Sequence, residues 1–176
     1  MNYTELAGSI RAYTENDFPD TIGTGGLTSD EQIDTFIREA EQRIFNTVQL
    51  LDLRKNVTGS CTASNKYLSV PTDWLATFSL AVIDGDGNYE YLLNKDVNFI
   101  RQSYPNPNDN GLPYCYAYFD QNSFILGPTP DDDYEVELHY FYYPESIVDA
   151  GTSWLGDNFD SALLYGSLLE AYTFMK

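Results

Sequence analysis

Tyr134-Glu135-Val136-Glu137-Leu138-His139-Tyr140-Phe141-Tyr142-Tyr143 is the stretch on which the fold turns. Tyr134, Val136, Leu138, Tyr140 and Tyr142 alternate with Glu135, Glu137 and His139, the period of a strand with one wet and one buried face. It is the longest strand in the sequence by this reading, and its aromatic face needs a cover. Just upstream, Gly127-Pro128-Thr129-Pro130 breaks the sheet after a hairpin of 114–119 and 123–126. Earlier still, 76–83 and 89–92 flank Asp84-Gly85-Asp86-Gly87-Asn88, and 56–63 and 66–70 flank Ser64-Asn65, which predicts two more hairpins. A brief helix fits 95–104, where Val97, Ile100 and Tyr104 align. Pro105-Asn106-Pro107-Asn108-Asp109-Asn110-Gly111 cannot donate a regular ladder and reads as an exposed loop.

Helical periods frame this β-rich centre. Asn2 with Glu5 forms a capping box, followed by Leu6, Ile10 and Tyr13 on one face of a helix ending near Thr14. Thr28 with Glu31 forms a second. Behind it Ile33, Phe36, Ile37, Ala40, Ile44, Val48 and Leu51 repeat at helical spacing, while Asp34, Arg38, Glu41 and Gln42 face away. Between the two helices, 15–26 carries Pro19, Gly23, Gly25 and Gly26 and reads as a loop able to move. At the other end, Trp154-Leu155-Gly156-Asp157 leads into 159–175, where Leu164, Leu168, Ala171, Tyr172 and Met175 form a stripe that Leu163 and Leu169 widen. The stripe is still open at Lys176, which leaves room for a longer native chain. The expected fold is α+β: N- and C-terminal helices (1–52 and 145–176) form a small bundle, and 53–144 form an antiparallel β-sheet or barrel-like lobe between them in sequence.

Charge narrows the function. The chain has 176 residues, 27 Asp plus Glu against 9 Lys plus Arg, and a formal net charge of -18, so its surface repels phosphate and anionic lipid. At 43% apolar and 15% aromatic it is too rich in core-forming side chains for a disordered acidic tail. With no basic leader followed by an apolar run and no membrane-length apolar window, the sequence predicts a soluble, intracellular protein.

Chemical motifs are sparse. Cys61 and Cys115 belong to no CxxC pair, and His139 is the sole histidine, so no metal site is expected and the thiols read as buried and free. Asp84-Gly85-Asp86-Gly87-Asn88 starts like a calcium loop, but Tyr89 stands where the glycine of the turn is needed and Lys95 where a bidentate Glu is needed. Asp131-Asp132-Asp133 project in opposite directions from an extended segment and read as a solvated turn. His139 reads as a partly buried structural imidazole. Gly23-Thr24-Gly25-Gly26 lacks the Lys of a phosphate loop. Neither an enzyme nor a cofactor is expected. Tyr114, Tyr116, Tyr118, Tyr140, Tyr142 and Tyr143 read as core and subunit-interface residues, because nucleic-acid stacking platforms carry Lys and Arg, whereas Glu135 and Glu137 interleave here.

The segment from Trp154-Leu155-Gly156-Asp157-Asn158-Phe159 through Leu168-Leu169-Glu170-Ala171 resembles the C-terminal signature of tailed-phage head-to-tail adaptor (connector) proteins. Val70-Pro71-Thr72-Asp73-Trp74-Leu75, the 114–126 hairpin, Gly127-Pro128-Thr129-Pro130 and the strand end 140–144 occur in that family's order. The first 27 residues match nothing in it. The resemblance implies a structural virion protein of the neck. It would form a homo-oligomeric ring, often of about twelve subunits, between the portal protein and a tail nozzle or tail tube protein, with DNA passing unbound through the channel. No catalytic residue, cofactor or membrane contact is implied. A competing reading is a carbohydrate-binding β module that stacks sugars on exposed Trp74 or Trp154; a carboxylate-pair glycosidase is a third.

Candidate residues follow. Trp154, Phe159, Leu164, Leu168 and Tyr172 are expected to pack the last helix on the 28–51 helix or to form an interface. Phe18, Pro19, Tyr104, Pro105 and Pro107 belong to two loops expected to order on assembly. Asp131, Asp132, Asp133, Asp84 and Asp86, on projecting turns, are candidates to line the channel; if these face outward instead, Arg38, Arg43, Lys95 and Arg101 are the cations left to meet phosphate.

Overall fold

Backbone contacts in the computed structural model, which describes residues 1–21, 25–48, 50, 53–106 and 108–176, separate Met1–Leu53 and Tyr143–Lys176 from Arg54–Tyr142. The chain runs α1 (Tyr3–Thr14), α2 (Ser29–Thr47), β1 (Arg54–Cys61), β2 (Tyr67–Ser69), β3 (Ala76–Ile83), β4 (Tyr89–Tyr91), β5 (Leu93–Asn94), α3 (Val97–Ser103), β6 (Cys115–Asp120), β7 (Ser123–Gly127), β8 (Tyr134–Phe141), α4 (Ile147–Ala150), α5 (Trp154–Asn158) and α6 (Asp160–Phe174). The fold is α+β, with helices at both ends of the chain and sheets between them in sequence.

In the helical unit both capping boxes form. Asn2 Oδ1 accepts the Glu5 N–H at 3.0 Å and Glu5 returns the bond to the Asn2 N–H; Thr28 and Glu31 do the same for α2. Each such cap is worth about 1 kcal/mol. Leu6 and Ile10 of α1, Ile33 and Ile37 of α2, and Leu163 and Leu168 of α6 share one core, at roughly 1.5–3 kcal/mol per buried side chain. The Tyr3 N–H donates to the Gly151 carbonyl at 2.9 Å, tying the N-terminal helix to the C-terminal segment.

Several residues depart from their expected faces. Tyr13, Leu169 and Tyr172 are exposed, because the core takes up Leu6, Ala7 and Ile10 of α1 and Leu163, Leu164, Leu168 and Ala171 of α6. Glu41, expected in solvent, is buried and accepts the Ile147 N–H at 3.0 Å, satisfying the first turn of α4. Gln32 is buried as well, and its amide donates to the Pro19 carbonyl at 3.1 Å. Phe18 is 1% exposed and meets Phe36 edge-on, with ring centroids 5.2 Å apart, so the loop that reads as mobile is anchored at that point. Val48 lies past the end of α2 and is exposed, while Leu51 and Gly23 fall outside the described residues.

The β unit holds two four-stranded sheets, β1-β8-β3-β4 and β2-β7-β6-β5. Val136, Leu138 and Tyr140 of β8 do point inward, and their cover is Tyr116, Phe124 and Leu126 of the second sheet. The hairpins β3–β4 and β6–β7 form as read, but the one across Ser64-Asn65 does not. β1 pairs with β8 and β2 with β7, because the Ser64 N–H bonds to the Pro130 carbonyl at 2.8 Å and the chain crosses between sheets there. The sheets do not close into a barrel. The chain changes sheet at β1–β2, β2–β3, β4–β5 and β7–β8, but among the described residues no strand pairs across, so β1 and β4 end one sheet and β2 and β5 the other. Nor is the pairing wholly antiparallel, since β5 runs parallel to β6. Helix α3 covers the outer face of the second sheet through Ile100, which packs with Cys115, Ala117 and Ile125.

Candidate functional site

Among the described residues no group of three or more His, Cys, Asp and Glu is placed to hold a metal ion. His139 is half-buried and lies edge-on to Phe78, with ring centroids 5.0 Å apart. Both cysteines are free and buried, and burial pushes their thiols above the ordinary range, away from nucleophile chemistry. The Asp84–Asn88 turn is held by Asp84, whose Oδ1 accepts the Asp86 N–H at 2.9 Å and the Asn88 N–H at 2.8 Å. Hydrogen bonding from the Asn88 side chain and backbone keeps the Asp84 carboxyl below its usual range, and its oxygens are thereby committed to the turn.

The conspicuous surface is apolar and helical. Tyr165, Leu169 and Tyr172 occupy positions i, i+4 and i+7 of α6 and are 63%, 52% and 47% exposed, on the side away from Leu164 and Leu168. Tyr13 of α1 continues the strip, and the Tyr172 hydroxyl donates to its carbonyl at 3.0 Å. Helix α6 is therefore apolar on both sides with only one side covered by its own chain. A helix apolar all round is ordinarily buried, and a contiguous patch of this kind marks an interaction surface.

The expected site residues separate into groups. Leu164 and Leu168 lie in the helical core, whereas Trp154, Phe159 and Tyr172 are exposed and do not pack α6 onto α2. Trp154 precedes α6, in α5, and its ring meets Phe159 at 5.4 Å instead. Phe18 is spent on its own core and is not available to a neighbour; Pro19, Tyr104 and Pro105 are exposed or half-exposed, and Pro107 falls outside the described residues. Asp131, Asp132 and Asp133 are exposed, with Asp133 accepting the Ala63 N–H at 2.7 Å and Asp131 the Tyr134 hydroxyl at 2.7 Å. The latter bond pushes the Tyr134 phenol up to about 12. Ile83 pairs with Glu135, so the turn bearing Asp84 and Asp86 and the turn bearing Asp131–Asp133 lie at the same end of one sheet, a juxtaposition only the register reveals.

Neither tryptophan is a free stacking platform. Trp74 is half-buried in the β core, its Nε1 donating to Thr77 at 3.1 Å and its ring edge-on to Phe124, and Trp154 is partly covered by Phe159. Sequence reasoning assigned Tyr165 no role, put Leu169 and Tyr172 on the apolar stripe of the last helix, and offered Tyr172 for packing on the 28–51 helix or for an interface without separating the two. The i, i+4, i+7 repeat was present as a second stripe, hidden because a helix with two apolar faces has little contrast between them. The family model described as SU10 adaptor protein matches residues 1–176, the full length of the chain. No curated protein matches it.

Proposed function

The chain belongs to the SU10 adaptor protein family, a family of phage adaptors, and on that premise we propose that it is a structural virion protein whose copies form a ring joining the portal vertex of the capsid to the tail. The observation that supports this reading is the uncovered apolar face of α6, Tyr165, Leu169 and Tyr172, which a subunit neighbour would bury. A side-by-side contact of two different surfaces closes into a ring when its rotation is an integral fraction of a turn, and about twelve subunits is the number we expect. The partners are further copies of the chain, the portal protein on one side and a tail nozzle or tail tube protein on the other. The exposed parts of the loops around Pro19 and around Tyr104, Pro105 and Pro107 serve as contacts that order on assembly. The work is mechanical joining and not catalysis.

In that ring Asp131, Asp132, Asp133, Asp84 and Asp86 line the lumen. With a net charge of -18 the chain supports a channel that holds the duplex off its wall, since phosphate binding needs clustered cations to release counterions. Two experiments test the reading. Changing Tyr165, Leu169 and Tyr172 together to Ser should leave the circular dichroism spectrum intact and abolish rings in electron micrographs; rings of normal size from the triple variant would remove the assigned interface. Asp131, Asp132 and Asp133 changed to Asn should slow genome ejection from assembled particles, and normal ejection would place those carboxylates elsewhere.

A further inference from the structure

We propose that the cleft between β1 and β2 is a strand-acceptor site, filled by an extended, basic-flanked segment of a partner protein that pairs with both sheet edges and closes the gap between them. The inference does not depend on the ring. The chain crosses between the sheets at β4–β5 and again at β1–β2, and on the latter side β1 and β2 are each the end strand of a sheet, with no strand paired to their outer edges among the described residues. Between them lies a cleft of about 410 Å³, walled by Thr58, Gly59 and Ser60 of β1 and Leu68 and Ser69 of β2, with Val136 and Leu138 at its floor.

Both walls present backbone groups. On β2 the Lys66 carbonyl accepts the Leu126 N–H at 2.8 Å and the Val70 N–H donates to the Asn122 carbonyl at 2.9 Å, so alternation turns the intervening Ser69 N–H and carbonyl toward the cleft. On β1 alternate groups turn away from β8 in the same way. An apolar floor with two hydrogen-bonding walls is the arrangement that recognises an added strand: main-chain bonds supply affinity and alternate side chains enter the core.

Gly59 is the second observation. Glycine in a strand interior weakens it by roughly 0.5–1 kcal/mol relative to Ala. Nothing among the described residues requires it: Gly59 has no positive φ, and of these residues an added Cβ would meet only Val136 Cγ2 at an ordinary 3.6 Å. A residue that its own fold leaves room to enlarge, placed on a cleft wall, fits a second backbone coming close from outside.

The occupant is another protein and not a second copy. The strand-forming stretches among this chain's described residues are already paired in the two sheets, and the sequence between α3 and β6 carries Pro105, Pro107 and Pro113, which cannot donate to a ladder. A chain of net charge -18 also repels its own acidic segments and attracts a basic one. The probe is a synthetic peptide of about seven residues, alternating valine and threonine with a lysine at each end, added to the full-length protein. It should bind, slow hydrogen exchange at the Ser69 amide, and bind about tenfold or more weakly to Gly59→Val, whose own stability is unchanged or higher. The same peptide N-methylated at alternate amides should lose binding to the unaltered protein, a measurement that needs no variant. Absent binding, equal binding by the methylated peptide, or protection away from Ser69 would overturn the site. Dimerisation without peptide that Gly59→Val abolishes, or equal binding by a glutamate-ended peptide, would overturn the basic-partner assignment.

Discussion

Adjacent leucines on α6 offer a sharp comparison. Leu168 is 5% exposed in the helical core and Leu169 is 52% exposed on the outer strip. Leu168→Ala removes buried methyl groups and leaves a void, and such changes cost about 2–5 kcal/mol, with 3 a reasonable centre for a site lined from more than one helix. That lowers the folded-to-unfolded ratio by roughly 150-fold and, for a chain of this size, the melting temperature by about 6–12 °C. Leu169→Ala should stay within about 0.5 kcal/mol in the free protomer, since surface substitutions away from special features usually do. The assay is urea and thermal unfolding by circular dichroism at a protein concentration where both variants are dissociated, because assembly adds stability by mass action. Sedimentation at higher concentration should then reverse the order of severity, with Leu169→Ala assembling less well than its own stability accounts for. Equal destabilisation by the two variants in the dissociated state would refute the assignment of the two faces.

Three further measurements bear on the helical unit. Burial holds the Glu41 carboxyl above its usual value, so the unfolded chain ionises it first; the stability tied to its protonated form is complete below the ordinary carboxylate range, about pH 4, and is lost as pH rises through the raised folded value. Glu41→Gln, whose amide oxygen still accepts the Ile147 N–H, should stabilise the protein at neutral pH and converge with the parent in acid; a loss at neutral pH would contradict this. Thr28→Ala should cost about 1 kcal/mol through the α2 cap, read as a shift in urea midpoint with unchanged slope. Arg38 and Asp149 form a two-point ion pair at 2.6 and 2.7 Å, yet both are about half exposed, so a double-mutant cycle should return less than about 1 kcal/mol and fall further in salt.

Local chemistry explains which features were legible in the sequence. The capping boxes at Asn2 and Thr28 and the alternation of β8 need only neighbours three residues or two residues apart, so they appear in the sequence and in the structure alike. The Ser64-Asn65 hairpin failed for the opposite reason: it was read from turn chemistry, but the partners of β1 and β2 were decided by β8 and β7, far away in sequence. Glu41 reads as a solvent-side residue of an amphipathic helix, and Gln32 stands outside the apolar repeat. Their burial depends on the Ile147 amide and the Pro19 carbonyl, which no helical period encodes. The outer strip of α6 could be read as apolar but not as outward, since which of two apolar stripes faces the core depends on α1 and α2.

The pairing of β1 with β8 bears on how the chain finds its fold. The helical unit is assembled from both ends of the polypeptide, so its core cannot form until the ends of the segment Arg54–Tyr142 come together. In a disordered chain, bringing two points some 90 residues apart into contact costs about 2–3 kcal/mol more than closing a loop of five, by the logarithmic growth of closure entropy. Arg54 lies directly opposite Phe141 in the β1–β8 register, so once the β unit has folded its entry and exit points already stand side by side. The sheet then acts as a clasp, and the entropy of that long loop is removed before the terminal helices meet. A substitution that loosens β1 from β8 would thus delay the docking of α6 on α2, although none of those helical residues had been touched.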